Sequence, residues 1–582
     1  MTAQLDDREP WRAIALVQRL PEIFRISPAV LVLTAILLVL IAPPVIFLVN
    51  ASVHETLPDG SAGAFTLRFY QQLFSGRLFL PSLVNTIIYA CGSAVIAIFI
   101  GTLQALIVER TNAPGRKLAF LAAVISLGVP NVLYVVSWLL LLGRAGPINN
   151  FLMSLLQSDQ VVLNVYSLWG MMLIEGVGFV PLTFLLMSAV LRSTDASFEE
   201  AALMAGANPQ RTFAVITLRM ALPALSGLTL LIFIKAFESF EVPALVGMAG
   251  HINVITTMIF QSSRRAGSPD YGEAGAYSIC LVAILMLLIL WQNNLSNNAQ
   301  RYQTITGKGF RPRVIDLGPW RFLASAVLVA LFLVVTVIPV AMLIFTSFQP
   351  YYEGVTVGSF SRLSLANYHL LVGPGSFRDS ILNTFVLGAA TASLVVPFTA
   401  LCAWLVVRRA PGAAWLDQIA SVPLIFPAII MSVAFLDVFV NIPLPLYGTL
   451  LSVIIASSVR YLPYGMRYAF AGTMQVHSEL EEAATTSGAR PAKVFLHVLI
   501  PLLAGTLVSS WLLIFLVSVQ AVSLPLLLVG PGSEVMAVTL FELWQNGQVT
   551  ELAAMGVLWI ALMTMVSVIF HTLTRRHQFS VA

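Results

Sequence analysis

Long apolar runs separated by short polar segments set the pattern of this chain. They fall roughly at 29–50, 83–108, 118–142, 165–191, 221–248 and 275–292, and again at 321–348, 380–407, 416–440, 444–470, 500–529 and 552–573. Each is close to the ~20 apolar residues that a helix needs to cross a bilayer. The pattern predicts an all-α polytopic membrane protein with about 12 transmembrane helices. Between the two sets lies 293–319, polar, Asn-rich and basic, which reads as a linker.

The two sets echo each other. Asn85-Thr86 and Asn383-Thr384 each open a second span. Arg110 followed by Pro114-Gly115 is matched by Arg408-Arg409 followed by Pro411-Gly412. Val129-Pro130 is matched by Phe426-Pro427, and Val242-Pro243 by Leu524-Pro525. The offset shortens later in each half, so the second half has lost residues between its third and fourth spans. The expected organisation is an N-terminal segment 1–28, a first repeat 29–292 (core about 81–292), the linker 293–319, and a second repeat 320–582 (core about 379–574). Lysines and arginines concentrate in the loops on one side, together with both chain ends and the linker. That side is expected to be cytoplasmic. Six spans per half make the repeats parallel.

Composition agrees with the apolar pattern. The chain has 582 residues, 58% hydrophobic and 10% charged, against about 25% charged in soluble domains. The net charge of +4 and its dispersal in short runs give no basic patch for nucleic acid. The three cysteines, Cys91, Cys280 and Cys402, sit in apolar runs without a metal or redox spacing, and imply no disulfide. The first 28 residues mix acids and bases. The run after them is too long for a cleavable signal, so a retained first span with a cytoplasmic N-terminus is expected.

One polar segment recurs. Ser197–Pro209 reads SFEEAALMAGANP and Ser478–Pro491 reads SELEEAATTSGARP. Both have the Ser-x-x-Glu form of a capping box, with Glu200 and Glu481 in the capping place. Each is expected to start a short helix. Gly206 and Gly488 stand where a left-handed residue ends it, and Pro209 and Pro491 where a second helix begins. A well-capped connection would explain the first copy alone. In the second copy Glu482 lies outside the cap yet aligns with Glu200, which points to a partner surface.

Glu-Ala-Ala, three residues, then Gly, with an apolar residue and Leu-Pro about nine residues on, is the signature of the permease subunits of binding-protein-dependent ABC importers. The chain resembles that family. The match is Glu482-Ala483-Ala484, Gly488, Val498 and Ile500-Pro501 in the second half, and Glu200-Ala201-Ala202, Gly206 and Ile216-Thr217-Leu218 in the first. The first copy departs from the pattern with Arg219 in place of Pro. The resemblance implies the type I ABC importer permease fold. It also implies that each loop is a coupling helix seated on one of two copies of an ATPase subunit, with Glu200 and Glu482 pairing basic residues there. A periplasmic solute-binding protein would deliver the solute, and the location would be the bacterial inner membrane. Two units in one chain, with 240–247, 256–260 and 540–544 after the fifth spans, look most like ferric-iron importers. Thiamine, phosphonate and polyamine permeases are the alternatives.

No Gly-x-x-x-x-Gly-Lys-Ser/Thr occurs, and Gly307-Lys308-Gly309 does not fit it. No zinc-hydrolase motif, Cys/His cluster or Ser-His-Asp set is present. No cofactor or metal is expected in this chain, ATP would be bound by the partner subunits, and no enzyme activity of its own is expected. Lys235, Glu238 and Glu241 stand in an apolar run, where ionisable groups are costly. They would either pack as a pair or line the translocation path. Glu175, beside Gly176 and Gly178, is a similar feature. A secondary transporter of about twelve spans is the rival class, and the doubled motif argues against it.

Overall fold

The computed structural model describes residues 27–56, 62–192, 197–212, 215–216, 218–265, 270–299, 314–372 and 376–579. The expected N-terminal segment lies almost wholly outside the described residues, as does most of the linker. Among the described residues nine helices are long and apolar enough to span a membrane, or eleven if two bent pairs are counted as one span each. The Leu450–Gln475 helix, 26 residues long but interrupted by Arg460 and Arg467, brings the count to the expected twelve or so. The protein is a multi-pass, nearly all-helical membrane protein. The exception is a two-stranded antiparallel hairpin, His54–Thr56 with Ala62–Phe65.

Three expectations about helix limits are corrected. The fifth spans are shorter than their apolar runs. The helices stop at Phe237 and Gln520, and Val242-Pro243 and Leu524-Pro525 lie in tight π and 3-10 turns beyond them. Apolar composition continues because these turns are buried, not because the helix runs on. The third spans, expected as single runs, break at Pro130 and Pro427. In the second half the two pieces, Ala414–Ile425 and Ala428–Asn441, bend by 104°. The sixth span, Tyr271–Ala299, runs into the stretch assigned to the linker.

By internal contacts the chain divides into two compact units, each drawing on both sequence halves. One takes the first helix up to Asn50, Leu382–Val519 and Leu527–Ser533. The other takes Ala51–Ile381, Gln520–Leu526 and the chain from Glu534 onward. In the first unit Ile41, Pro44 and Leu48 of the N-terminal helix line a small apolar cavity with Pro423, Phe426 and Val459. In the second unit Leu328, from the first helix of the later half, is buried in a core with Ala119, Ala123, Phe184 and Leu228. The opening helix of each half therefore buries its apolar face on residues of the other half.

Small residues let the second and fourth spans approach. A Cβ on Gly101 would lie 2.6 Å from the Thr183 Cβ, and one on Gly465 would lie 2.6 Å from the Thr399 hydroxyl. In the register set by Asn85 and Asn383, Thr399 occupies the place of Gly101. In the register of the Glu-Ala-Ala segments, Gly465 occupies the place of Thr183. The same close contact is thus made with glycine and threonine exchanged, as expected where packing rather than hydrophobicity joins helices in lipid. The two asparagines also act alike. Asn85 Nδ2 donates to the Asn253 carbonyl and Asn383 Nδ2 to the Gly532 carbonyl, both at 3.1 Å.

Candidate functional site

Each Glu-Ala-Ala segment folds as a short helix, a glycine turn and a second short helix. The helices are Ser197–Met204 and Pro209–Thr212 in the first copy, and Glu479–Thr486 and Pro491–Val494 in the second. Gly206 and Gly488 have φ of 84° and 88°, the left-handed region where a side chain is strained. Around them the N–H of Gly206 donates to Leu203 and that of Ala207 to Ala202. The N–H of Gly488 donates to Thr485 and that of Ala489 to Ala484. This paired closure is a Schellman turn, which satisfies the last carbonyls of the helix. The second alanine of each motif, Ala202 or Ala484, thus supplies one of the two accepting carbonyls.

The capping box expected at Ser478 does not form. Ser478 has helical φ and ψ and makes no side-chain cap bond. Glu481 instead turns inward. One of its oxygens accepts from Arg408 Nε at 2.9 Å and Arg408 Nη2 at 2.5 Å, and the other accepts from Trp404 Nε1 at 2.8 Å. Arg408 Nη2 also donates to the Val476 carbonyl. In the first copy Glu199 makes the equivalent contact, 3.0 Å from Arg110 Nη1, with both side chains buried. Glu200 and Glu482, one residue on, are exposed, as are Ala201 and Ala483, while Ala202 and Ala484 are half-buried. The acidic pair therefore divides its work: the first Glu ties the loop to an arginine at or just past the end of the second span, and the second faces outward. Sequence reasoning missed the anchoring acids. The signal was present in the echoed Arg110 and Arg408 and in the doubled Glu of each motif.

Around the first loop the charges are denser. Glu109, fully buried, takes Arg116 at 3.1 Å, Arg192 at 2.8 Å and the Ser188 hydroxyl. The described end of the linker is stitched on beside them. Ile315 N–H donates to the Arg110 carbonyl at 2.8 Å, and the Asn112 amide donates to Asp316. The Gly318 N–H, and after it Asn112, hold the Asp316 carboxyl below the usual carboxylate range.

The ionisable residues of the fifth span are brought close to the turn that follows it. Lys235 Nζ lies 2.6 Å from Glu238, on one helix face as their spacing predicted. Glu241 accepts from Ser523 at 2.7 Å. Ser523 is the residue that aligns with Glu241 in the other half. Glu175 is buried beside Tyr89 and Ser239, within electrostatic range of Glu241. Arg460, in the fourth span of the later half, donates to the carbonyls of Pro423 and Phe426 and so holds the broken third span. Among the described residues no three His, Cys, Asp or Glu side chains converge as a metal site would require.

Residues 395–579 match the family of binding-protein-dependent transport system inner membrane components. That region contains the second Glu-Ala-Ala loop, its arginine anchor and the spans on either side. The later half is a permease domain of binding-protein-dependent ABC importers. The permease is 27% identical over 505 residues to the ferric transport system permease protein FbpB of Actinobacillus pleuropneumoniae, covering 86% of this chain and 70% of that one. A ferric transport permease of Haemophilus influenzae is 27% identical over 479 residues, covering 81% and 72%. A 2-aminoethylphosphonate transport permease of Salmonella typhi is 27% identical over 231 residues, covering 40% of this chain and 77% of that one. The chain resembles ferric transport permeases over most of its length and is an inner-membrane permease.

Proposed function

We propose that this permease is the membrane component of an ATP-driven ferric iron importer. The observation that carries the reading is the matched pair of loops, each fixed by an inward Glu–Arg contact and each presenting one exposed Glu. A surface built twice, pinned to a membrane helix and left open at Glu200 and Glu482, is suited to receive force from a partner. The partners are two copies of an ATPase subunit, which bind the ATP, and a periplasmic solute-binding protein. The loops, the linker and both chain ends face the cytoplasm, in keeping with their lysines and arginines. Closure of the ATPases pushes the loops, and the Glu199–Arg110 and Glu481–Arg408 anchors pass that motion to the second spans. The path then opens alternately to the two sides.

Iron is favoured as the solute because the ferric permeases align over more than four-fifths of the chain. Phosphonate is the second reading, supported by the shorter Salmonella alignment. Thiamine and polyamines rest on the family resemblance alone. The test is uptake of labelled ferric iron by cells carrying the wild-type chain or Glu482→Lys. The variant is expected to insert normally and to lose uptake and transport-coupled ATP hydrolysis. Unchanged coupled hydrolysis would remove the coupling assignment, and phosphonate uptake without iron uptake would replace the solute.

A further inference from the structure

One buried carboxylate beside the first loop belongs neither to the loop's anchor nor to its outward face. Glu109 lies at the end of the second span with its side chain fully enclosed. Its Oε1 accepts from Arg192 Nε at 2.9 Å, from Arg192 Nη2 at 2.8 Å and from the Ser188 hydroxyl, all in the last turns of the fourth span. Its Oε2 accepts from Arg116 Nη2 at 3.1 Å, at the first residue of the third span. The Arg192 guanidinium also lies 4.8 Å over the ring of Phe120, on that third span. A single side chain thus ties the ends of three spans. The next residue, Arg110, holds the loop through Glu199, and its carbonyl takes the Ile315 N–H. Loop anchor and three-span joint share one helical turn.

The later half makes a joint of the same kind from different chemistry. In the registers already set, Val407, Ala413, Phe470 and Met474 stand at the places of Glu109, Arg116, Ser188 and Arg192, and none of these can form an ion pair. There Arg408 Nη2 donates both to Glu481 of the loop and to the Val476 carbonyl at the end of the fourth span. Arg467, 3.8 Å from Asp417, joins the fourth span to the third. The first joint is an acid that gathers donors, and the second is an arginine that gathers acceptors. We propose that Glu109 is a positioning residue for transport: it makes the first loop and the ends of the second, third and fourth spans move as one stiff lever. Charge-assisted bonds are short and directional, and a buried carboxylate cannot release its donors without being left an uncompensated charge. The force carried by this lever rests on the coupling reading, but the joint itself rests on these contacts alone.

The test has two readouts. The first uses the full chain in lipid nanodiscs, with its three cysteines replaced by alanine. Spin labels are placed at Ala205 on the loop and Leu121 on the third span, both exposed, and pulsed electron paramagnetic resonance gives the spread of distances between them. Glu109→Gln should broaden that spread. Arg192→Gln, at a half-exposed arginine that the fold can lose more safely, should broaden it less, and Arg192→Lys should recover most of the wild-type width. Glu353→Gln, at an outer acid paired with Arg362, should change nothing. The second readout uses the importer purified through a tag on the permease and reconstituted in liposomes. Solute moved per ATP hydrolysed should fall about threefold or more in Glu109→Gln, the scale expected when a coupling contact is lost, and less in Arg192→Gln. Unchanged distance spreads in both variants, or an equal broadening in Glu353→Gln, overturn the joint. Broadened spreads with an unchanged transport ratio overturn the lever. A wild-type importer that moves its solute without hydrolysing ATP overturns the coupling reading and the lever with it, while the label distances still decide the joint.

Discussion

The two loops reach one arrangement by different means. In the first, Arg110 is sealed, with 2% of its side chain exposed, and meets Glu199 in a single ion pair. In the second, Arg408 keeps 24% exposure and is held by two bonds to Glu481, which Trp404 also binds. Glu109, with its two arginines, has Val407 at the corresponding place in the second half. What both copies keep is narrower: an arginine after the second span, an inward Glu, an outward Glu, two alanines and a left-handed glycine. Those shared parts define the device. The arginine's other supports differ from one copy to the other.

Removing the inward carboxylates tests that comparison most strongly. Glu199→Gln strands the sealed Arg110 and should cost about 3–5 kcal/mol, the usual effect of breaking a buried pair. Glu481→Gln leaves Arg408 its carbonyl partner and some water, and should cost about 1–3 kcal/mol. Thermal unfolding of the purified permease compares them. Equal losses would show that burial does not separate the two anchors.

The exchanged glycine and threonine give the next largest effect. Gly101→Thr overfills the contact with Thr183 and should cost about 1–3 kcal/mol. Adding Thr183→Gly reproduces the arrangement of Thr399 and Gly465 and should restore most of the loss. A double variant no better than Gly101→Thr would mean that the two contacts are not equivalent.

Much of this was legible in the sequence because it is local. Span positions follow from apolar length, and the Schellman turns follow from a glycine two turns into an alanine helix. The anchors were not legible, because Ser-x-x-Glu describes a capping box equally well. Only the fold brings Arg408 to Glu481, 73 residues along the chain, and a charge-assisted pair then outweighs a cap. The ends of the fifth spans were misread for a related reason. A buried turn at Pro243 or Pro525 is as apolar as the helix before it.

The glycines should behave as a pair. Nothing lies within 4 Å of a Cβ placed on Gly206 or Gly488, so alanine there meets only backbone strain. Gly206→Ala and Gly488→Ala should each cost about 1–2 kcal/mol, equally in the two loops. A larger loss in one would reveal a contact that the shared turn does not predict, and thermal unfolding again reads it.

The smallest effect on stability is expected where the effect on transport is expected to be large. Glu200 and Glu482 are exposed, so Glu200→Gln and Glu482→Gln should shift stability by no more than about 0.5 kcal/mol. If they serve only to help a helix start, iron uptake should follow stability and stay near wild type. If they are the outward contacts of the loops, uptake should fall in both variants and fall further in the double variant, with unfolding unchanged. The inward variants should show the opposite weighting, with stability lost first and uptake lost through it. Measured side by side, the four glutamates separate what holds each loop from what each loop presents. Uptake unaffected in the Glu200 and Glu482 double variant would leave the anchors standing and end the case for a docking surface.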